Sequence, residues 1–470
     1  MTPDRKVAQQ RKPAASTRST WIKRSLLLLP LVSAGAIMTL PVHSAKAVPA
    51  FAEQTGLPCS ACHVGGFGPQ LTPFGREFKL DGYTLRAQKS VPLAAMAVAS
   101  LTHTKRDQVP APDGLDQNDN VAFDQGSIFI AGGLGKHFGM FSQTTYDGVG
   151  QAWAWDNTDI RAVTKANLFG ADTTLGLTLN NSPTVQDAWN TTPAWGFPYT
   201  DTAVSGTPDA APLIDDGLAT ESVGLSAYAW IGQKFYLEGG AYTTPAAGTL
   251  NWLGADPSGG PGNIHGLAPY GRVAWQGNAG GGTLELGAFV LNANVYPDRD
   301  MSSGFTDHYT DLGFDASWQK QLASGDVLSA QARYVHENAN YRASCALGMI
   351  GPMTGPDCAS VGLNELRGDF GYHWHNKLGA TIGAFSITGD SNSALYDSST
   401  ASPDSNGVML QLDYSPWGDG NGPLGKRVNL QLGLQATFYG KFNGASTNYD
   451  GAGANASDNN AVRVYSWLAF

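Results

Sequence analysis

From about residue 91 to the end, the chain alternates between apolar and polar positions. The clearest run is Val428-Asn429-Leu430-Gln431-Leu432-Gly433-Leu434-Gln435-Ala436-Thr437-Phe438, with every even residue apolar and every odd one polar or Gly. A period of two puts one set on each face of a strand. Thr283–Ala288, Val223–Tyr228 and Val408–Tyr414 repeat the pattern. Sixteen such runs are expected, near 91–103, 126–134, 136–146, 158–168, 172–181, 222–231, 233–243, 267–276, 281–293, 308–319, 327–338, 364–375, 377–388, 406–416, 427–440 and 460–470. Their lengths suit strands tilted across a bilayer, about 9–11 residues each.

The connections alternate in length. Phe169-Gly170-Ala171, Gly232 and Gly277–Gly280 are short, whereas 104–125, 147–157, 182–221, 244–266, 294–307, 339–363, 389–405 and 441–459 are long. Long loops on one side and tight turns on the other predict an all-β fold, a 16-stranded antiparallel transmembrane β-barrel over residues 91–470. The alternating last run, ending in Phe470, fits an outer-membrane barrel. A soluble β-sandwich would seldom sort its loops this way. A barrel of this size encloses a lumen wide enough for a channel or a plug.

Residues 1–47 read as an export signal. Arg18, Lys23 and Arg24 precede an apolar run from Leu26 to Leu40, and Ala45-Lys46-Ala47 gives a small-x-small cleavage pattern. Eight of the 29 Lys/Arg but one of the 39 Asp/Glu precede Val48, which leaves 21 cations against 38 anions, a net charge of −17. That balance disfavours nucleic acid as a partner and favours cations.

Candidate chemistry sits between the signal and the barrel. Cys59-Ser60-Ala61-Cys62-His63 has the C-x-x-C-H spacing of c-type haem attachment. Two thiols add to the porphyrin vinyl groups, and the adjacent imidazole ligates the iron. A thiol-redox motif or half a zinc site would need a βαβ context or a second ligand pair, and neither lies within the next 35 residues. Residues 48–90 are thus expected to be a haem-bearing plug, too short to fold alone. Phe51, Leu57, Phe67, Leu71, Phe74 and Phe78 are its packing candidates. Arg76 and Lys79 stand as partners for the haem propionates or as plain solvated charges.

The sixth ligand lies outside the motif. Met96 has the parity opposite to Val91, Leu93, Ala95, Ala97 and Ala99, and so is expected to face the lumen, as are His373 and His375. Met96 is the first choice, because a thioether ligand raises the reduction potential. Cys345 and Cys358 are expected to form a loop disulfide. Residues 182–221 contain no Lys or Arg but carry Asp187, Asp201, Asp209, Asp215, Asp216 and Glu221. The ordinary reading is a solvated outer loop. The alternative is a folded-in gate or a cation-gathering surface.

Pro49–Gly56, the C-x-x-C-H motif and Leu71-Thr72-Pro73-Phe74-Gly75-Arg76-Glu77-Phe78-Lys79-Leu80-Asp81-Gly82-Tyr83 together resemble the Cyc2 family, fused monohaem cytochrome–porins of the outer membrane. The specific match covers about residues 49–84, and Asn181–Asp187 through Trp195–Pro198 also resembles a family segment. The resemblance implies one covalent haem c carried by a 16-strand barrel. It also implies oxidation of extracellular Fe(II), with electrons passed to a periplasmic cytochrome c. A porin with a structural or gating haem plug, or a conduit for another donor or acceptor, is the alternative.

Overall fold

The computed structural model describes residues 49–88, 92–112, 114–191, 200, 202–215, 217–258, 260–350 and 360–470. The expected signal, residues 1–47, lies outside the described residues.

Sixteen long strands form one closed antiparallel barrel. They are β1 (Leu93–Thr104), β2 (Asn120–Leu134), β3 (Phe138–Asp147), β4 (Ala152–Leu168), β5 (Ala171–Asn180), β6 (Val223–Ile231), β7 (Phe235–Thr243), β9 (Ala268–Ala279), β10 (Gly282–Tyr296), β11 (Asp307–Gln321), β12 (Val327–Asn340), β13 (Ser360–Trp374), β14 (Leu378–Gly389), β15 (Ser405–Tyr414), β16 (Asn429–Lys441) and β17 (Ala461–Ala469). A two-residue strand, β8 (Asn263–Ile264), only extends the outer end of β10. Each long strand pairs with the next, and β1 closes on β17 from Met96↔Ala469 to Thr104↔Ala461.

Side chains sort by face, as the period of two requires. In β1 Met96 and Val98 are buried while Leu93 and Leu101 are exposed, and in β16 Gln431 and Gln435 are buried while Leu432 and Leu434 are exposed. The apolar face is outside, which suits a barrel wrapped by lipid rather than one packed on a second sheet. Exposed aromatics flank it, with Phe138, Phe235, Trp374 and Tyr414 by the short turns and Phe123 and Trp153 at the other end. No described helix is long and apolar enough to cross a membrane.

Phe169-Gly170 and Gly280-Gly281 are two-residue hairpins with both residues left-handed, and Gly232-Gln233 and His375-Asn376 are the left-handed pairs of three-residue ones. That backbone matches the right-handed twist of the strands it joins.

Two strand starts differ most from expectation. Strands β2 and β4 each begin six residues earlier than the alternation suggests, and the long connection expected at 147–157 is only 148–151. The pairing of β1 with β2 shifts register between Val98 and Ala99. Buried residues in β2 accordingly switch from Asn120 and Ala122 to Ser127 and Ala131. A bulge reverses parity and hides the strand from a search for alternation.

The lumen is occupied. Residues 49–88 lie against the inner wall, and described residues of the 181–222 connection fold inward. Asn181 to Thr191 are all buried, as are Leu213, Ile214 and Leu218. This corrects the ordinary reading of a solvated outer loop for Asp187 and Asp215, which meet lumen arginines rather than water, whereas Asp209 stays exposed beside Asn443. Asp187 faces Arg272 at 3.6 Å, and Asp215 meets Arg333 at 2.9 Å. Backbone N–H groups of Leu213 and Ile214 donate to Glu337 and Asp311. Asp201 and Asp216 lie outside the described residues.

Candidate functional site

The 49–88 segment is built around the C-x-x-C-H turn. Helix α1 (Ala50–Thr55) stops at Gly56 (φ 67°), and α2 (Cys59–Cys62) is a single turn whose last bond runs from His63 N–H to Cys59 O. Helix α3 (Pro73–Leu80) is capped by Thr72, whose Oγ1 accepts from Gly75 N–H at 3.1 Å and donates to Ala61 O at 2.7 Å. Thr72 N–H also donates to Cys62 O at 2.9 Å. A Cβ on Gly75 would sit 2.3 Å from that same Cys62 oxygen. The Thr72-Pro73-Phe74-Gly75 stretch therefore clamps α3 onto the cysteine turn.

The segment is anchored around the inside of the barrel. Gln54 donates to Tyr83 O (2.6 Å) and Leu85 O (2.8 Å) and accepts from Gly133 N–H of β2 (2.8 Å). Tyr228 of β6 donates to Leu80 O and Gln319 of β11 to Leu71 O. The 415–428 connection, longest of the short-turn side, presses on the segment as a clasp. Gly418 O accepts from Ser60 N–H, and Lys426 donates to Gly56 O.

Cys59, Cys62 and His63 open onto a cavity between the segment and the wall. It offers about 280 Å³ to water-sized occupants, or about 1490 Å³ of atom-free space with its mouth included. Phe51, Leu57, Phe67, Leu71 and Phe78 line it, as expected, whereas Phe74 turns away and is exposed. Both thiols are free. Burial pushes the Cys62 thiol up to about 11, with Cys59 adding to the effect, and burial raises Cys59 too. A C-x-x-C redox pair needs a lowered thiol pKa, so this site does not suit disulfide exchange. The His63 ring is half-buried where it faces the cavity, and its buried Nδ1 lacks a hydrogen-bond partner. Burial pushes this imidazole down to about 4, against a smaller opposing pull from the Gly68 backbone, which leaves a neutral ring able to bind metal.

Met96 lines the same cavity, in the inward register expected of it. His373 is also buried and inward, but it borders a second, smaller cavity with Asp369, Asp413 and Gln431. A Cβ on Gly65 would lie 2.6 Å from its Nδ1. The expectation for His375 is corrected: β13 ends at Trp374, and His375 turns out of the strand (φ 48°) to pair with Asp326 at 3.1 Å.

The two basic candidates divide. Lys79 borders the cavity, donating to the Val185 and Asp187 carbonyls of the inner loop, and burial pushes its ammonium down to about 8. Arg76 points to the wall instead, donating to Gln276 Oε1 (3.1 Å) and Leu71 O (2.9 Å). Burial lowers it to about 10, partly offset by Glu285 and Asp187. Cys345 is disulfide-bonded; its expected partner Cys358 lies outside the described residues. Among the described residues no cluster of three or more His, Cys, Asp or Glu is arranged to hold a metal ion by itself.

Sequence reasoning missed the anchors Gln54, Thr72 and the 415–428 clasp. Only Thr72 carried a local signal, a Thr before Pro at a helix start.

No family model matches the chain, and no curated protein matches it either. Solved structures of outer-membrane proteins do resemble it. Pseudomonas putida OprB shares 14% identity over 81% of this chain and 94% of its own, with a TM-score of 0.47. The outer-membrane channel DcaP of Acinetobacter baumannii shares 11% over 83% and 99%, with a TM-score of 0.45. Salmonella typhi OmpF, in complex with daunomycin, shares 12% over 81% and 97%, with a TM-score of 0.45.

Proposed function

We propose that this chain is an outer-membrane c-type cytochrome that takes single electrons from extracellular Fe(II) and passes them to a periplasmic electron carrier. The observation that carries the reading is the enclosure of Cys59, Cys62 and His63 with Met96 around one apolar cavity inside a closed barrel. Two free thiols and a neutral imidazole on one wall, with a thioether also on the lining, fit a covalently attached haem c. When bound, that group supplies one-electron Fe(III)/Fe(II) cycling.

The protein's own residues do the rest. Cys59 and Cys62 would hold the group through thioether bonds, and His63 and Met96 would be its iron ligands. Phe51, Phe67 and Phe78 line the cavity and would exclude water from it, and Lys79 at the cavity edge would meet a propionate. Each Fe(II) that gives up one electron leaves as Fe(III), and the carrier at the short-turn mouth removes that electron.

A diffusion porin with a haem plug is the competing reading, supported by the barrel itself. The 49–88 segment and the buried stretches of the connection at 181–191 and around Leu213 to Leu218 weigh against it, because both occupy the lumen. Adding Fe(II) to the purified, haem-loaded protein separates the two. Reduction of the haem spectrum, with no leakage of small solutes from liposomes carrying the protein, is expected. Haem that stays oxidised at every accessible pH, in liposomes that leak, would overturn the proposal. His63→Ala or Cys62→Ala should keep the barrel and lose the electron transfer.

A further inference from the structure

We infer that Trp467 is the positioning residue for the Met96 thioether, an inference that rests on the proposed function, in which Met96 would be an iron ligand. The indole Nε1–H of Trp467 donates to Met96 Sδ at 3.1 Å. Both side chains are 5% exposed. They stand on the two strands that close the barrel: Trp467 of β17 pairs with Val98, and Met96 of β1 pairs with Ala469. Two residues apart along the seam, they share the inward face.

A methionine side chain has three rotatable bonds and a soft sulfur, and it fills whatever space it is given. Packing alone leaves its lone pairs unaimed. One directed N–H changes that: one lone pair of Sδ is taken by the indole, and the other is left for a metal. The indole is held in turn. Phe67, four residues after His63, stacks edge-on against Trp467 with centroids 4.8 Å apart and planes at 71°, and Tyr465 and Val98 complete the cluster. The chain of contact runs from the His63 loop through Phe67 and Trp467 to the sulfur. A donor on a ligand sulfur also draws electron density from it, which favours the reduced metal, and such outer contacts tune potential.

The test uses haem-loaded protein in detergent: wild type, Met96→Ala and Trp467→Phe. Phenylalanine keeps an aromatic ring against Phe67 and removes the N–H together with part of the indole's bulk. Wild type should show the near-infrared charge-transfer band of a thioether on ferric haem, and Met96→Ala should lose it. Trp467→Phe should weaken that band and shift the reduction potential downward, with covalent haem content and heat-modifiable gel mobility unchanged. If wild type lacks the band, the Met96 reading falls and this inference with it. If Met96→Ala loses the band while Trp467→Phe matches wild type in band and potential, the role of Trp467 alone is overturned. Should Trp467→Phe fail to assemble, wild type gives a second measure in the ferrous state. The Trp467 indole proton, assigned by isotope labelling, is expected to exchange slowly with solvent; fast exchange would overturn the hydrogen bond.

Discussion

Arg272, on the inner wall of β9, holds Asp187 of the inward connection at 3.6 Å while gripping Asp315 with two donors at 2.7 and 2.9 Å. Glu285 is a third carboxylate at 3.2 Å. One guanidinium thus serves three acids, and the substitutions are not equivalent. Arg272→Ala strands three buried carboxylates, whereas Asp187→Ala leaves Arg272 with two partners. Breaking a buried pair costs about 3–5 kcal/mol, so Arg272→Ala should release the connection from the wall and Asp187→Ala should only loosen it. Planar-bilayer recording should show a nearly silent wild type, brief openings in Asp187→Ala and sustained conductance in Arg272→Ala. An Arg272→Ala barrel as silent as wild type would refute this latch.

The same latch fixes the pH response. Burial alone would raise the Asp187 carboxyl, but Arg272 and the hydrogen bonds from Thr191 and Trp189 outweigh it and hold it below the ordinary range. Burial likewise opposes, and Arg333 with Arg367 overcomes, at Asp215. A depressed carboxyl contributes stability that is fully present above its unfolded value, about 3.9, and is lost as pH falls through the lower folded value. Conductance should therefore not rise between neutral pH and about 4, and should rise only below that. A rise between pH 7 and 5 would contradict the assignment.

Gly75→Ala should disturb the proposed haem attachment without touching Cys59, Cys62 or His63. The added methyl would meet Cys62 O at 2.3 Å, so α3 must move off the cysteine turn. Overpacking of this kind costs about 1–3 kcal/mol. The yield of haem-stained protein should fall while barrel assembly, read by heat-modifiable mobility, persists. An equal haem yield would show that the turn can absorb the methyl.

Gln54→Ala tests how the segment is held. The amide fills three hydrogen bonds at once, and removing it leaves the Gly133 N–H and two carbonyls wanting partners. An unsatisfied buried polar group costs about 1–3 kcal/mol. Protease added to the detergent-solubilised variant should cut within residues 49–88 several-fold faster than in wild type. Gln54→Glu, which keeps an acceptor for Gly133 but loses the donor, should fall between them.

Much of the fold is legible in the sequence because alternation is a local property. Leu432, Leu434 and Phe438 declare their lipid face within one strand, and the parity of Met96 follows from its immediate neighbours. The cysteine turn is legible for the same reason, being a run of consecutive residues. The fate of residues 181–222 is not local. Asp187 finds Arg272 across 85 positions, and Asp215 finds Arg333 across 118. An acidic stretch with no nearby base reads as solvated until the barrel curls those arginines into view. His375 shows a subtler failure: parity carries through Trp374 and ends where the chain enters the left-handed turn. Strand β2 hides six residues because its bulge inverts the code midway.

The cavity wall that carries Met96 joins the first strand to the last. Cys59 to His63, by contrast, are contiguous and complete as soon as they are synthesised. On the proposed function, tethering and enclosure would therefore be separate events in the life of the chain. A half-made barrel would already carry its pigment, whereas Met96 and Trp467 meet only once the final nine-residue strand pairs with the first. Seam closure would then become visible as colour, and a spectrometer could time the completion of the barrel.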